Sequence, residues 1–352
     1  MMKILFVIDR GNLCGGVQKM VAEMAVKFGE LYHDEVGMVM AYVDDNKLVP
    51  FLTSHHVRVY NLQCRKYSPL LPLRYARIIR KEKYEVVLTN HSFSQIFGGM
   101  ASLLIPKKVR CFTTEHSLDS IRRRHAWFKP IDRFCYLRYQ RVFAVSACVR
   151  DRLIAWIGPR IKGHVDVIAN GVDVQSLMAA KPLPRDSFGC NEDDTLVCTI
   201  SRLVAPKSLH TLIGAMTLLP DNYKCVIVGD GDQEEGLKQL AKDRQVEKRI
   251  CFTGRRTDIG AILKSADVYV STSSSEGFGL TVIEASVCGL PVVATDIPAF
   301  RELLGKEQLF NPGDETALAE KIKGWTNLPI HTDFQERYSL TRMTRMYREA
   351  MG

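Results

Sequence analysis

Glu276 and Glu284 stand with seven residues between them in "SSSEGFGLTVIEAS", two carboxylates flanking a glycine-rich turn and an apolar run. On one continuous helix, eight steps of about 100° would leave the side chains about 80° apart around the axis, sharing no ligand. If Glu276 sits in a loop after a strand and Glu284 a turn into the following helix, both can face a ligand at that helix's N-terminus. The flanking residues support the second geometry. "ADVYVSTSSS" reads as a strand and a polar turn, Gly277 and Gly279 permit close backbone approach, and a helix starts near Gly279 or Leu280. The amides of Gly279, Leu280 and Thr281 are then unpaired donors at the positive end of a helix. A second loop, "SRLVAPKSLHTLI", presents Arg202 and Lys207 after another strand. A guanidinium fork and an ammonium point charge spaced in this way suit a diphosphate. A buried carboxylate at Glu284 needs partners, which the hydroxyls of a sugar or ribose would supply.

Two further loops are ambiguous alone. "RGNLCGGVQKM" carries Gly11, Gly15 and Gly16 ahead of a helix, and "VGDGDQEEG" carries Gly229 and Gly231 at the end of a strand. Each is as consistent with a tight turn as with a phosphate-binding backbone. Arg202 and Lys207, read singly, would more often be solvated surface cations.

The elements that must position these loops are short apolar runs alternating with longer amphipathic stretches, the signature of βαβ units on a parallel sheet. In the first half the strands are "KILFVI", "EVGMVMA", "VRVY", "YEVVLTN", "VRCFTTE", "RVFAVS" and "VDVIAN"; in the second they are "LVCTIS", "YKCVIVG", "RICFTG", "DVYVSTS" and "PVVAT". The segment 179–194, with two prolines and an acidic cluster, divides the chain into two α/β, Rossmann-like halves. The expected domains are 1–180 and 181–332, followed by a terminal amphipathic helix over 333–352 bearing Phe334, Tyr338, Met343, Met346 and Tyr347.

Bulk properties narrow the class. The 352 residues are 46% apolar and 25% charged, as in soluble globular proteins. The opening "MMKILFVIDRG" is too short an apolar run for a secretory segment and reads as a first strand, and no apolar window is long enough to span a bilayer. The ten cysteines are scattered without a C-x-x-C pair, pointing to reduced buried thiols in the cytosol. The net charge of +9 is uneven: residues 1–180 hold 27 Lys+Arg against 15 Asp+Glu, and 181–352 hold 21 against 24. A basic first half suits an anionic membrane or a phosphate-bearing acceptor as well as it suits nucleic acid. "RKYSPLLPLRYARIIRKEK" (65–83) and "SIRRRHAWFKP" (120–130) mix cations with Leu, Tyr, Trp and Phe, as expected of a surface lying on anionic lipid. The same stretches are equally readable as solvated helix faces over a buried apolar stripe.

The order of these segments resembles that of retaining glycosyltransferases of family 4. "EGFGLTVIEASVCGLPVVAT" is similar to their E-x7-E segment, and the similarity extends through "GGVQKM", "TTEHS", "AVSACVRDRL", "VIANGVD", "ISRLVAPKSLHTLI", "VGDGD", "FTGRRTDI" and "SADVYVSTS". The resemblance implies a GT-B fold: two Rossmann-like domains facing a cleft, an acceptor-binding first domain, a nucleotide-sugar-binding second domain, and a final helix crossing back to brace the first. It implies catalytic roles for His116, near the reacting sugar, for Arg202 and Lys207, on the diphosphate, and for Glu276, on the donor sugar. Glu284 would hold the ribose and Arg255 would border the base, with Gly15, Gly16, Gly229, Phe278, Gly279, Leu280 and Thr281 completing the donor site. Front-face attack with the leaving phosphate taking the acceptor's proton, and with Arg and Lys in place of a metal, is the mechanism implied. The co-substrate would be a nucleoside-diphosphate sugar, with no cofactor, no metal and no nucleic acid, and the acceptor a lipid-linked glycan or a polysaccharide or lipopolysaccharide at the cytoplasmic face of the membrane. The family usually has Lys-Gly where this chain has Lys207-Ser208, and serine lacks glycine's freedom at positive φ, so a somewhat different loop is expected. Two readings outside this class are a glycoside hydrolase using Glu276 and Glu284 as its acid and nucleophile, and a non-catalytic polyanion-binding protein built on the basic half.

Overall fold

The computed structural model describes residues 1–13, 16–43, 47–65, 67–120 and 122–352. They form two compact units, Met1–Gly171 with Leu340–Gly352, and Val172–Ser339. The first holds strands β1 (Lys3–Gly11), β2 (Glu35–Val43), β3 (Arg58–Asn61), β4 (Val86–Asn90), β5 (Arg110–Glu115), β6 (Arg141–Ala144) and β7 (Val165–Val167). The second holds β8 (Thr195–Ile200), β9 (Tyr223–Val228), β10 (Ile250–Gly254), β11 (Val268–Ser271), β12 (Val292–Thr295) and β13 (Leu309–Phe310). The orders are β3-β2-β1-β4-β5-β6-β7 and β10-β9-β8-β11-β12-β13, and the ladders are parallel throughout the described residues. Both are doubly wound sheets, each with one point where the winding reverses, between β1 and β4 and between β8 and β11.

The strands are near-continuous apolar runs because helices cover both faces of each sheet. Ile4, Phe6 and Ile8 of β1 and Met38 and Met40 of β2 pack with Met20, Met24 and Phe28 of the helix Gly16–Tyr32 in the first core. Val197, Cys225, Ile227, Val268 and Val270 pack with Leu212, Ile213 and Met216 of the helix Leu209–Thr217 in the second. Twelve strands fall on the runs read from the sequence. β13 escapes that reading because two residues carry no periodicity.

The C-terminal segment is divided between the units. The short helix Phe334–Arg337 belongs to the second, where Tyr338 stands edge-on to Phe278 (ring centroids 5.7 Å) and Phe334 (4.9 Å). The chain then enters the first unit as the helix Leu340–Ala350, whose Leu340, Met343 and Tyr347 join the first core. Tyr347 meets Phe143 edge-on (5.0 Å), and its hydroxyl lies 3.2 Å from Thr114 Oγ1. Buried Asp34 ties both chain ends, accepting from the Met2 backbone N–H and from Arg348 Nε (3.0 Å). At the other seam the helix Val174–Ala179, grouped with the first half in the sequence reading, packs on the helices Ile259–Ser265 and Leu280–Val287 of the second unit.

Candidate active site

In a doubly wound sheet, ligands settle beyond the strand ends at the point where the winding reverses. The loops after β8 and β11 meet there in the second unit. Glu276 lies in the loop and Glu284 in the helix Leu280–Val287, the second of the two geometries weighed for this pair. Lys207 ends the 3-10 turn Ala205–Lys207, and its Nζ donates to Glu276 Oε1 in a short contact. Ser273 Oγ donates to the same oxygen (3.0 Å). The two loops are laced together by Thr272 Oγ1 donating to Lys207 O (2.8 Å) and Ser274 N–H donating to Pro206 O (2.9 Å). This lacing places an ammonium and a carboxylate from distant segments on one spot, both about four-fifths buried.

Ser208 sits at φ 47°, ψ 38°, the left-handed region. The turn that glycine usually makes is therefore kept here with a serine, at a cost of about 1–2 kcal/mol for an L-residue. Gly279, at φ +106°, starts the helix that carries Glu284; a Cβ there would lie 2.7 Å from the Phe300 ring. No side chain caps this helix start, and its first turn holds no acid, so the amides of Leu280 and Thr281 keep their donor capacity and the helix dipole is unopposed there. Phe278 turns inward against Tyr338, so its side chain anchors the loop. Glu284 is half-buried one turn along. Beneath the loop, buried Tyr269 donates to Ile200 O (3.3 Å), and burial, with the Glu284 and Glu276 charges adding to it, pushes its phenol up.

Arg202 is exposed, on a loop held by Leu203 N–H donating to Asp230 O (2.8 Å). A Cβ on Gly229 would lie 1.8 Å from Ser201 O, and one on Gly231 2.2 Å from Leu203 O, so both glycines are needed for loop packing whatever else they do. Arg255, after β10, forks onto Asp230 (Nη2–Oδ2 2.9 Å). Tyr269, Thr272 and Ser273 are the site groups that sequence reading passed over. The run "STSSS" was the available signal, but a hydroxyl-rich turn looks the same whether or not it braces a carboxylate.

His116 and Gly16 lie in the first unit, and Gly15 lies outside the described residues. Gly16 opens the helix Gly16–Tyr32. His116 follows β5, with both ring nitrogens covered and without hydrogen-bond partners among the described residues. Burial pushes its pKa down to about 3, Glu115 opposing and His91 adding to the effect. Next to it, burial pushes the Glu115 carboxyl up, but Arg123 (2.8 Å) and Arg122 outweigh this and hold it below its ordinary value. Arg123 also donates to Ser117 O (3.0 Å) and Leu118 O (2.8 Å), clamping the loop that carries His116.

The basic stretch 65–83 forms the helix Leu71–Glu82, which turns Leu71, Tyr75 and Ile79 inward as the bland reading expects. Leu70 and Leu73 nonetheless stand more than half exposed. A surface pocket of about 450 Å³ is lined by Leu73, Ala76, Leu104, Arg77, Arg80 and Lys81. No helix among the described residues is long and apolar enough to cross a membrane.

Two doubly wound parallel domains, the second with Lys207 and Glu276 joined in the loops at its switch point, constitute the GT-B architecture. The family model for glycosyl transferases group 1 matches residues 181–340 and that for glycosyltransferase family 4 matches 14–176, and the chain belongs to this glycosyltransferase family. Among curated relatives it is 29% identical over 200 residues to the O-antigen biosynthesis glycosyltransferase WclY of Escherichia coli, covering 54% of this chain and 56% of that one. The chain thus spans little more than half the length of this relative. It is 27% identical over 285 residues to the UDP-Gal:alpha-D-GlcNAc-diphosphoundecaprenol alpha-1,3-galactosyltransferase of E. coli, covering 75% of this chain and 70% of that one. The fold matches that of Anabaena Alr3699/HepE, solved with UDP-glucose, at a TM-score of 0.85 and 23% identity, over 100% of this chain and 99% of that one.

Proposed function

We propose that the protein transfers a sugar, with retention of configuration and without a metal, from a nucleoside-diphosphate sugar to a lipid-linked or polysaccharide acceptor in lipopolysaccharide or O-antigen assembly. The observation that carries this reading is the junction of Lys207 and Glu276 beside the uncapped start of the helix bearing Glu284. As the anomeric C–O bond breaks, negative charge gathers on the departing diphosphate. Lys207, Arg202 and the amides of Leu280 and Thr281 are groups in this unit able to meet that charge, stabilising the transition state more than the ground state. Glu276 is suited to a sugar hydroxyl and Glu284 to the ribose, and Arg255 borders the base site. His116 belongs to the first domain, the acceptor-binding one in this reading, where its buried ring nitrogens have no hydrogen-bond partner among the described residues. The names of WclY, of the diphosphoundecaprenol galactosyltransferase and of the UDP-glucose complex of HepE support the substrate classes.

A hydrolase working through Glu276 and Glu284 is not favoured, since Lys207 already holds the Glu276 carboxylate and the cations and helix start would be idle. The exposed leucines and the cationic pocket beside the helix Leu71–Glu82 support docking on the anionic cytoplasmic face of a membrane, where each well-placed cation adds about 1 kcal/mol. Neither nucleic acid nor a separate cofactor has a part in this reading.

The test is a screen of UDP-, GDP-, ADP- and dTDP-glucose and -galactose, crossed with short-chain N-acetylglucosaminyl diphospholipids and lipopolysaccharide core oligosaccharides, reading nucleoside diphosphate release and product anomers with and without EDTA. Retained anomeric configuration at an EDTA-insensitive rate is the expected result. Sugar release independent of any nucleotide, or an absolute need for a divalent metal, would refute the corresponding part. Sedimentation with vesicles of 30 mol% phosphatidylglycerol (about a third anionic lipid) against pure phosphatidylcholine tests docking, and equal sedimentation would remove it.

A further inference from the structure

The ammonium that the transferase reading assigns to a diphosphate is already held by a carboxylate of the same unit. Lys207 Nζ donates to Glu276 Oε1, and Ser273 Oγ donates to that same oxygen (3.0 Å). Both side chains of the ion pair are about four-fifths buried, so water screens their attraction only in part. Lys207, Ser273 and Glu276 all lie within Val172–Ser339.

The backbone of both loops fixes this pair from behind. Thr272 Oγ1 donates to Lys207 O (2.8 Å), and Ser274 N–H donates to Pro206 O (2.9 Å). Thr295 Oγ1, at the end of β12, donates to Ser273 O in a short contact. The loops after the neighbouring strands β8 and β11, with β12 behind them, thus set the ammonium and the carboxylate against each other. A lysine that only met phosphate would gain nothing from a carboxylate seated on it. An ammonium has donors to spare, but a diphosphate brought against Lys207 would stand beside Glu276, and like charges that close repel strongly where water is scarce.

We infer that Glu276 is the residue by which the donor site tells a sugar nucleotide from the nucleoside diphosphate left after transfer, because it competes with the free diphosphate for Lys207. The inference rests on the transferase reading above and gives Glu276 a task beyond contact with the sugar. A sugar nucleotide brings hydroxyls that donate to the carboxylate while its diphosphate takes the ammonium, so each partner of the parted pair exchanges one charge-assisted bond for another. The nucleoside diphosphate offers no such hydroxyl at the sugar end, and it carries an ionisable oxygen where the sugar was. It leaves Glu276 unpaired beside like charge, and the return of Glu276 to Lys207 expels it. The carboxylate is the repulsive element that makes a difference of affinities, placed where slow product release would otherwise limit turnover.

The experiment titrates UDP, GDP, ADP and dTDP into the full chain by isothermal calorimetry, then repeats the tightest of them with its glucose and galactose derivatives. Glu276→Gln keeps the shape of the side chain and removes its charge. It should tighten the diphosphate about tenfold, equivalent to about 1.4 kcal/mol, as suits a pair between the exposed and fully buried cases. The preferred sugar nucleotide should stay within about threefold, since the weakened sugar contact offsets the lost repulsion. Glu276→Ala should tighten the diphosphate in the same sense, which keeps the test decisive should the glutamine chain fold poorly. With Lys207 already replaced by alanine, Glu276→Gln should gain no more than about twofold, because a carboxylate that no ammonium holds turns to solvent. Diphosphate affinity that rises in neither variant would overturn the proposal, as would an equal gain for the sugar nucleotide or a gain undiminished in the Lys207→Ala background. A wild type that binds none of these diphosphates would sink the transferase reading and this proposal with it, whereas binding indifferent to Glu276 would sink the proposal alone.

Discussion

Removing the Lys207 ammonium separates catalysis from stability in a way that the geometry makes quantitative. Lys207 and Glu276 are 17% and 19% exposed and share a direct contact, and Ser273 Oγ also donates to the carboxylate. An exposed ion pair contributes about 0–1 kcal/mol, and stripping one partner from a fully buried pair costs about 3–5 kcal/mol. A pair this far from solvent, but still touching it, lies between, at about 1–2 kcal/mol for Lys207→Ala. For a unit of this size that is a fall in Tm of about 2–8 °C. Loss of a preorganised charge on the departing diphosphate costs far more in rate, about 10²–10³ in kcat. Lys207→Arg keeps the charge but replaces a mobile point charge with a rigid fork, and should fall between. The double variant Lys207→Ala with Glu276→Ala should lose less stability than the two single losses added, because neither partner is left unpaired. Differential scanning fluorimetry alongside steady-state kinetics on the best donor decides the matter. A Lys207→Ala enzyme with kcat within about threefold of wild type would refute the assignment, and so would a loss of rate matched by an equal loss of folded protein.

Three other outcomes follow from particular contacts. Since burial holds His116 neutral down to about pH 3 while the unfolded chain titrates it at the ordinary histidine value, the unfolded state binds the extra proton first. Its contribution to stability is intact at pH 7 and is lost as pH falls from about 6.5 toward 3, at a cost of order 3–5 kcal/mol; a His116→Gln variant should show a shallower fall in Tm over that window, and an unchanged slope would contradict this. Ser208→Gly should relieve the left-handed strain at the Lys207 turn and, after the greater entropy loss of glycine, raise stability by about 0.5–1 kcal/mol, read as Tm with transfer unchanged. Tyr347→Phe should cost about 1 kcal/mol for its hydroxyl contact with Thr114, whereas Tyr347→Ala should cost about 3–5 kcal/mol by emptying the space beside Phe143, measured by urea denaturation; near-equal losses would mean the ring is not the anchor.

Much of this protein was legible in one dimension. Parallel strands covered on both faces must be short, apolar and β-branched, so "YKCVIV" and "DVYVS" declare themselves without reference to anything distant. The types of residue in the loops after β8 and β11 were equally open, because cations, small hydroxyls and glycines at a strand-to-helix junction have few other uses in combination. What stayed hidden was fine division. The stretch from Phe334 to Tyr347 reads as one amphipathic helix because its apolar residues keep helical spacing, yet Phe334 and Tyr338 pack in one unit while Met343 and Tyr347 pack in the other. Periodicity reports that a face is buried, and is silent about which neighbour buries it.

The amino-acid sequence by itself determined the alternation of strands and helices, the basic character of the first half and the chemical inventory of each loop, since these depend on residues within a few positions of one another. Only the tertiary structure decided which loops meet. Lys207 reaches a glutamate 69 residues away because β8 and β11 are neighbours in the sheet, and Asp9 reaches a histidine 82 residues away because β1 and β4 are. Strand order is set by how all the helices and strands pack at once, and that collective choice leaves no local trace in the chain.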